Sequence, residues 1–99
     1  MSERTAKATV LQDDAETRIT RYDFTEGANT GFHRHDLPYV IVPITDGTVS
    51  VVDARGDKST GAMQRGVPYH RPAMAEGDGH DVVSTTAGAF AFLEIELKD

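Results

Sequence analysis

Residues 27–47 read GANTGFHRHDLPYVIVPITDG and contain two histidines, His33 and His35, separated by one residue. In an extended strand the side chains at i and i+2 point to the same face, about 6.5–7 Å apart along the backbone. Two imidazoles placed in this way can bind one cation, at about 2.0–2.1 Å from each nitrogen. The stretch therefore predicts one side of a metal site, followed by the apolar run VIVPI.

A second segment completes a recognisable pattern. Gly27 lies six positions before His33, and later in the chain Gly66 lies six positions before Pro72, with a third histidine at His80. This arrangement resembles the two-motif signature of the cupin superfamily, in which Gly-x5-His-x-His is followed by Gly-x5-Pro and a third histidine. The resemblance implies three metal ligands: His33, His35 and His80.

The resemblance covers nearly the whole chain and is closest to very small single-domain cupins. The matching stretches are HRHD at 33–36, YVIVP at 39–43 and FAFLEIE at 90–96. Some members of that group carry the label of β-alanine degradation proteins. The resemblance implies one double-stranded β-helix, the jelly-roll barrel of RmlC-like proteins.

The hydrophobic pattern independently predicts an all-β barrel or sandwich, because short alternating runs separated by glycine-bearing turns recur along the chain. We expect a single domain over residues 1–99, with a flexible start at 1–7. Hairpin chemistry is expected at 45–48 and 54–57, where Gly47 and Gly56 can supply a positive φ. The predicted strands cover residues 8–12, 16–24, 30–35, 38–45, 48–54, 59–63, 68–72, 80–84 and 88–97.

Composition limits the classes of partner. The chain has 99 residues, a formal net charge of −6 and 38% hydrophobic content, which is typical of a small globular domain. An acidic protein is not attracted to nucleic acid or to an anionic membrane, so neither is an expected partner. No apolar signal segment or membrane-length run is present, and we expect a cytoplasmic protein. There is no cysteine, which excludes thiolate ligands.

The usual carboxylate ligand of the cupin pattern is missing, because its position falls on Tyr39 or Val40. Three neutral imidazoles would leave a divalent ion, Fe, Mn, Ni or Zn, with its full 2+ charge. A bound water should then become more acidic, and anionic ligands should bind more tightly. The second motif also departs from the family, since a longer loop precedes His80. His70 is the alternative third ligand, although alternation predicts that it faces away from Tyr69 and Arg71.

Arg71 is the main candidate for contact with a ligand. If Tyr69 and Arg71 point inward, a permanent charge lies in the cavity, and a buried cation without a partner is very costly. It should pair with a carboxylate of the substrate in a bidentate fork or with an internal acid, for which the candidates are Asp23, Glu94 and Glu96. Both alternatives are open at this stage.

Two further residues near the histidines have alternative roles. Tyr39 is a candidate catalytic group that could donate a proton beside the ion, or it could be a core aromatic. Asp36 could orient the imidazole of His33 or His35 through a ring N–H, or it could cap an exposed turn.

The last predicted strand alternates between two apolar sets. If its aliphatic side chains line the barrel, Phe90 and Phe92 lie outside on a flat apolar patch. Such a patch on a small chain predicts a homodimer, which the cupin resemblance also implies. The aliphatic set consists of Ala91, Leu93, Ile95 and Leu97.

Two functional hypotheses follow. The first is a metalloenzyme of oxygenase, lyase or isomerase type, acting on a small anionic organic acid or a dicarbonyl, with Tyr39 and Arg71 beside the ion. The second is a non-catalytic ligand-binding or sensor cupin with weak or no metal, which the missing carboxylate and the altered second motif favour.

Overall fold

The computed structural model describes residues 4–98, which form eight β-strands and no helix. The all-β prediction is confirmed, and eight of the nine predicted strands are present with ends within two residues of those expected. Within the expected flexible start, residues 1–3 lie outside the described residues, whereas Thr5 pairs with Asn29 and Ala6 is buried. The strands are β1 (Lys7–Asp13), β2 (Thr17–Phe24), β3 (Tyr39–Pro43), β4 (Gly47–Asp53), β5 (Lys58–Met63), β6 (Tyr69–Arg71), β7 (His80–Ser84) and β8 (Phe90–Leu97).

The strands form two antiparallel sheets that enclose the core. One sheet has the order β1-β2-β8-β3-β6 and the other the order β5-β4-β7. The chain crosses between the two sheets after β3 and again after β5, β6 and β7, as in a jelly roll. Among residues 4–98, no segment forms a helix that could cross a bilayer.

The prediction that Phe90 and Phe92 lie outside is wrong. Both rings are buried, with 1% and 3% exposure, and face the other sheet. Their cross-strand partners on β2 are Phe24 and Tyr22, at ring-centroid distances of 5.4 and 5.5 Å. Aromatic pairs directly opposite one another stabilise a sheet and fix its register. Because side chains alternate with a period of two, Glu94 follows Phe92 into the interior.

The outer face of the five-stranded sheet therefore carries the aliphatic set. Leu93 and Ile95 are half-buried there, and their partners on β3 are Val42 and Val40. An apolar face for a homodimer is thus formed by aliphatic residues instead of phenylalanines. The homodimer itself stays a prediction.

The predicted strand at residues 30–35 is the one that does not form. Within this segment His33 forms an isolated bridge with His80, and Asn29, just before it, forms isolated bridges with Thr5 and Val83. Gly31 has a φ of +81°, which interrupts an extended conformation. The two histidines are therefore presented by a loop that is fastened at single points.

Gly56 is required for its backbone conformation, whereas Gly47 is required for space. Gly56 has a φ of +85° in the hairpin between β4 and β5, as predicted. The predicted hairpin at 45–48 is wrong, because β3 and β4 belong to different sheets. Gly47 has no positive φ; a Cβ at this position would lie 2.4 Å from the ring of Phe90. Its lack of a side chain leaves room for that ring.

Candidate metal centre

A two-residue bridge brings the two histidine segments together. The amide N–H of His33 donates to the carbonyl of His80 at 2.9 Å, and the amide N–H of His80 donates to the carbonyl of His33 at 2.8 Å. Residues that exchange both hydrogen bonds lie directly opposite one another, so their side chains share a face. His35, two positions after His33, turns its ring towards the same point.

The three imidazoles are positioned to hold a metal ion. One ring nitrogen from each of His33, His35 and His80 lies within 4.8 Å of the others. The Nε2 atoms of His33 and His35 are 3.0 Å apart. Two ligands at right angles around one ion, each about 2.1 Å from it, are separated by about 3.0 Å. The donor set and its spacing therefore fit a divalent transition metal.

The ring of His33 is oriented by its own loop. Its Nδ1 lies 2.8 Å from the carbonyl oxygen of Gly31, so Nδ1–H donates and Nε2 keeps its lone pair for an ion. The loop is held in place by Asp81, whose Oδ1 accepts the amide N–H of Gly31 at 3.1 Å. Thr30 also contributes, since its hydroxyl accepts the amide N–H of Val82. Sequence reasoning missed these supporting groups, because contacts to a backbone carbonyl leave no motif.

Both of the more enclosed imidazoles are neutral at physiological pH. Burial lowers the pKa of His35 to about 4, and the neighbouring imidazoles of His33 and His80 add to the effect. Burial also lowers the pKa of His80 to about 4, with His33 contributing. A histidine binds a metal only in its neutral form, so these shifts favour coordination.

Glu94 lies beside the imidazole of His35, whereas the sequence suggested it only as a partner of Arg71. Its side chain is 8% exposed, and Oε1 is 3.5 Å from Nε2 of His35. Burial raises the pKa of Glu94 to about 7, and the charge of Glu96 adds to the shift. Since the shifts of Glu94 and His35 both favour neutral forms, their contact is not a strong ion pair in the metal-free protein. Glu94 lies two positions after Phe92 on β8, so its side chain points to the same face as the buried rings of Phe90 and Phe92.

These shifts predict how the stability of the metal-free protein depends on pH. Between pH 4 and 6.5 the unfolded chain protonates His35 and His80 while the folded chain does not, so stability rises with pH. The titration of Glu94 has the opposite effect between pH 4.5 and 7. There the folded state keeps the proton that the unfolded chain has lost, so this group lowers the stability as the pH rises. We expect the melting temperature to rise from pH 4.5 to 6.5, and to rise up to about twice as steeply in Glu94→Gln. Thermal melts in the presence of a chelator measure this, and equal slopes would contradict the assignment of Glu94.

Tyr39 contacts the site through its ring. The ring stacks on that of His35 at a centroid distance of 4.0 Å, and the residue is 5% exposed. Burial raises the pKa of Tyr39 to about 12, with the charge of Glu94 contributing. Its phenol therefore keeps its proton at neutral pH, and the residue both packs in the core and lines the cavity.

Arg71 lies at the mouth of the cavity without a carboxylate partner. It is exposed, its guanidinium sits 4.5 Å from the ring centroid of Tyr69, and its Nη1 donates to the carbonyl of His70. Among residues 4–98, no acidic oxygen lies within 4.0 Å of it, so none of the internal acids proposed from the sequence is its partner. Tyr69 and Arg71 both line the cavity.

The remaining candidates lie away from the centre. His70 is exposed and pairs across β3 with Val40, which places it on the outer face. It is not part of the three-histidine group. Asp36 is exposed, and in the described part of the chain no hydrogen bond joins it to His33 or His35. Its proposed orienting role is therefore not supported by a contact.

The imidazoles, Glu94 and Tyr39 line a cavity of about 760 Å³ between the two sheets. Such a volume admits a small organic ligand.

The longer loop before His80 forms part of the cavity wall and is hydrogen-bonded to the segment that carries His33 and His35. The amide of Met74 donates to the carbonyl of His35 at 2.7 Å, and Arg34 donates to the carbonyls of Met74 and Ala75. The departure from the cupin pattern thus does not displace the third histidine.

This chain is similar to known proteins that include structures of the cupin fold. A protein named Beta-alanine degradation protein BauB, from Pseudomonas aeruginosa, is 40% identical over 93 residues, which cover 94% of each chain. The crystal structure of a cupin domain from Bordetella pertussis is 35% identical, with a TM-score of 0.90 over 100% of this chain and 99% of that one. An RmlC-like cupin with a double-stranded β-helix fold from Methanocaldococcus jannaschii is 11% identical, with a TM-score of 0.72 over 96% and 82% of the chains. No family model matches this chain.

Proposed function

This chain belongs to the cupin superfamily, and we propose that it is a metal-dependent enzyme acting on a small organic acid or a dicarbonyl. The observation that carries the proposal is the arrangement of one cavity. Three imidazoles converge at its inner part, and the guanidinium of Arg71, which has no carboxylate partner among residues 4–98, lies at its mouth. A molecule with a carboxylate at one end and a second oxygen function at the other could reach both.

The metal would be Fe, Mn, Ni or Zn held by His33, His35 and His80, because imidazole suits all of these ions. When bound, such an ion supplies Lewis-acid chemistry and, for a redox-active metal, chemistry with O₂. An oxygenase, a lyase and an isomerase all remain compatible with this donor set.

Arg71 would bind the carboxylate of the ligand. A guanidinium can donate two parallel hydrogen bonds to a carboxylate, which fixes both position and orientation. The name of the relative from Pseudomonas aeruginosa refers to degradation of β-alanine, which is itself a small carboxylic acid. A substrate of this size and charge agrees with the cation at the mouth.

Tyr39 would act next to the ligand. Its phenol is protonated at neutral pH, so it can donate a hydrogen bond or a proton to a ligand oxygen. Its stacking on His35 holds the hydroxyl at a fixed distance from the imidazole group.

We also propose that the protein is a cytoplasmic homodimer, with the aliphatic outer face of the five-stranded sheet as the contact surface.

The role of Arg71 gives a direct test. Hydrogen bonds to charged groups contribute about 1.5–3 kcal/mol, so Arg71→Gln should weaken binding of malonate and acetoacetate to the metal-loaded protein by about 10–100-fold. Isothermal titration calorimetry measures this, with Arg55→Gln at the exposed β4–β5 hairpin as the matched control. Unchanged affinity in Arg71→Gln would refute the anchor.

A non-catalytic ligand-binding cupin is the alternative, and metal content separates the two. We expect protein purified without added metal to contain a transition metal in near-stoichiometric amount. With a redox-active metal, we expect it to consume O₂ or convert dicarbonyl probes. A metal-free protein whose melting temperature ignores added divalent ions would favour the non-catalytic alternative, since an ion that selects the folded state must stabilise it.

A further inference from the structure

We propose that the cavity takes a β-keto acid with an apolar tail, and that Gly61 on β5 is the position that makes room for the tail. This inference rests on the proposed function and specifies the substrate class for the same site. The carboxylate would lie at Arg71, the keto oxygen near the imidazoles, and the tail at the inner end of the cavity.

Neither backbone conformation nor packing explains the glycine at position 61. The chain has nine glycines, and six of them have a positive φ, which Gly61 does not. At Gly47 and Gly79 a Cβ would lie 2.4 and 2.5 Å from an aromatic ring, so no side chain fits. At Gly61 a Cβ would make only an ordinary contact, 3.5 Å from Cγ2 of Val49. A side chain could therefore stand at this position without a clash.

Gly61 is also unfavourable for the strand that contains it. It lies inside β5, where glycine has no side chain to pack and loses more conformational freedom on folding than other residues do. A glycine inside a strand often marks a place where a ligand approaches the backbone closely. Its partner on β4 is Val49, which is buried, and both residues line the cavity that contains the imidazoles. The space without a side chain therefore lies inside the barrel.

The wall around this space is apolar. Val49, Val82 and Phe92 line the cavity and belong to the buried core. Tyr22 and Val51 also line the cavity and pack against that core, but they remain partly exposed. Apolar surface that faces water inside a cavity is stabilised when an apolar ligand covers it. The inner end of the cavity thus favours a hydrocarbon tail.

The three parts of such a ligand would follow one another along the barrel. Because Arg71 ends β6 and His80 begins β7, both lie at the end of the barrel that the loop 72–79 joins. The β7 partner of Val49 is Ser84, four residues after His80, so the row of Gly61 and Val49 lies about 13 Å farther along the strands. Arg71 is the only lysine or arginine among the described residues that line the cavity. The inner end therefore offers no cation for a second carboxylate.

The length of the tail gives the first test. Isothermal titration calorimetry would compare acetoacetate, 3-oxohexanoate and 3-oxooctanoate on the Co²⁺-loaded protein. Burial of each added methylene should raise the affinity about 4-fold, so 3-oxohexanoate should bind about 15-fold more tightly than acetoacetate. We expect 3-oxooctanoate to bind more tightly still, with one ligand per chain.

The outcomes of this series separate the inference from the proposed function. If acetoacetate binds and the affinity does not rise with the length of the tail, the tail site is refuted, whereas the proposed function stands. If no member of the series binds, the proposed function fails as well.

Gly61→Val tests the position itself. We expect an equal or higher melting temperature, because valine suits a strand and its Cβ meets no close contact. The ratio of the affinities for 3-oxooctanoate and acetoacetate should nevertheless fall at least about 10-fold, since the new side chain occupies the space for the tail. A folded Gly61→Val with an unchanged ratio would refute the inference.

The matched control is Ser50→Val, which adds the same side chain on the outer face. Ser50 lies between two inward-facing valines of β4 and does not line the cavity, so the ratio should stay unchanged. Should Gly61→Val not fold, Gly61→Ala gives the second measurement, because its single added methyl group makes only the ordinary contact with Val49. A smaller fall in the ratio is expected for it, and no fall would contradict the assignment of Gly61.

Discussion

Replacing His35 with alanine is expected to abolish the stabilisation of this protein by divalent metal ions. His35 is the most buried of the three histidines, and its Nε2 is within 3.5 Å of both the His33 nitrogen and the Glu94 carboxylate. Its removal leaves only two of the three imidazoles to hold an ion. In the wild type, a metal at 100 times its dissociation constant should stabilise the fold by about 2.7 kcal/mol. For a domain of this size that is roughly 11–22 °C in melting temperature.

The matched control for this experiment is His70→Ala. His70 is also an imidazole on a strand near the cavity, but it is exposed and faces outward. Differential scanning fluorimetry with Ni²⁺, Co²⁺ or Mn²⁺ should show the full shift for His70→Ala and none for His35→Ala. A shift that survives in His35→Ala would refute the ligand assignment, and a shift lost in His70→Ala would place the ion elsewhere.

Phe90→Ala is expected to have the largest effect on stability. Phe90 is 1% exposed, and its ring lies 5.4 Å from that of Phe24 and 5.9 Å from that of Phe92. Truncation of a buried phenylalanine typically costs about 3–5 kcal/mol, because it removes buried apolar surface and leaves a cavity. A domain of about 100 residues has a total stability of only about 5–15 kcal/mol, so much of it would be lost.

Chemical denaturation in the presence of a chelator measures this loss without a contribution from metal binding. Phe32→Ala is the control, because the Phe32 side chain is 60% exposed and its truncation should cost far less. A loss below about 1 kcal/mol in Phe90→Ala would show that the aromatic column of β2 and β8 is not the core of the fold.

The fold and the three histidines could be predicted from the sequence because both depend on spacing. The cupin fold prediction is confirmed, and the bridge between His33 and His80 brings together the two segments that the pattern identifies. The strand expected at 30–35 fails for a local reason, since the pattern does not indicate that Gly31 adopts a positive φ.

The sequence does not reveal which face of β8 is buried. The buried position of Glu94 was missed for this reason. Both faces of β8 are apolar over residues 90–93, so alternation alone does not tell which face is buried. The answer depends on pairing with Phe24 and Tyr22 on a strand more than 60 residues away in the sequence. Once the phenylalanines point inward, Glu94 must follow them, and its carboxylate lies 3.5 Å from Nε2 of His35.

The most direct test of the central claim is a crystal structure of the Co²⁺-loaded protein with anomalous diffraction measured at the cobalt absorption edge. We expect a single anomalous peak in the cavity, at about 2.0–2.3 Å from a ring nitrogen of each of His33, His35 and His80. The absence of a peak there, or a peak that His80 does not contact, would contradict it.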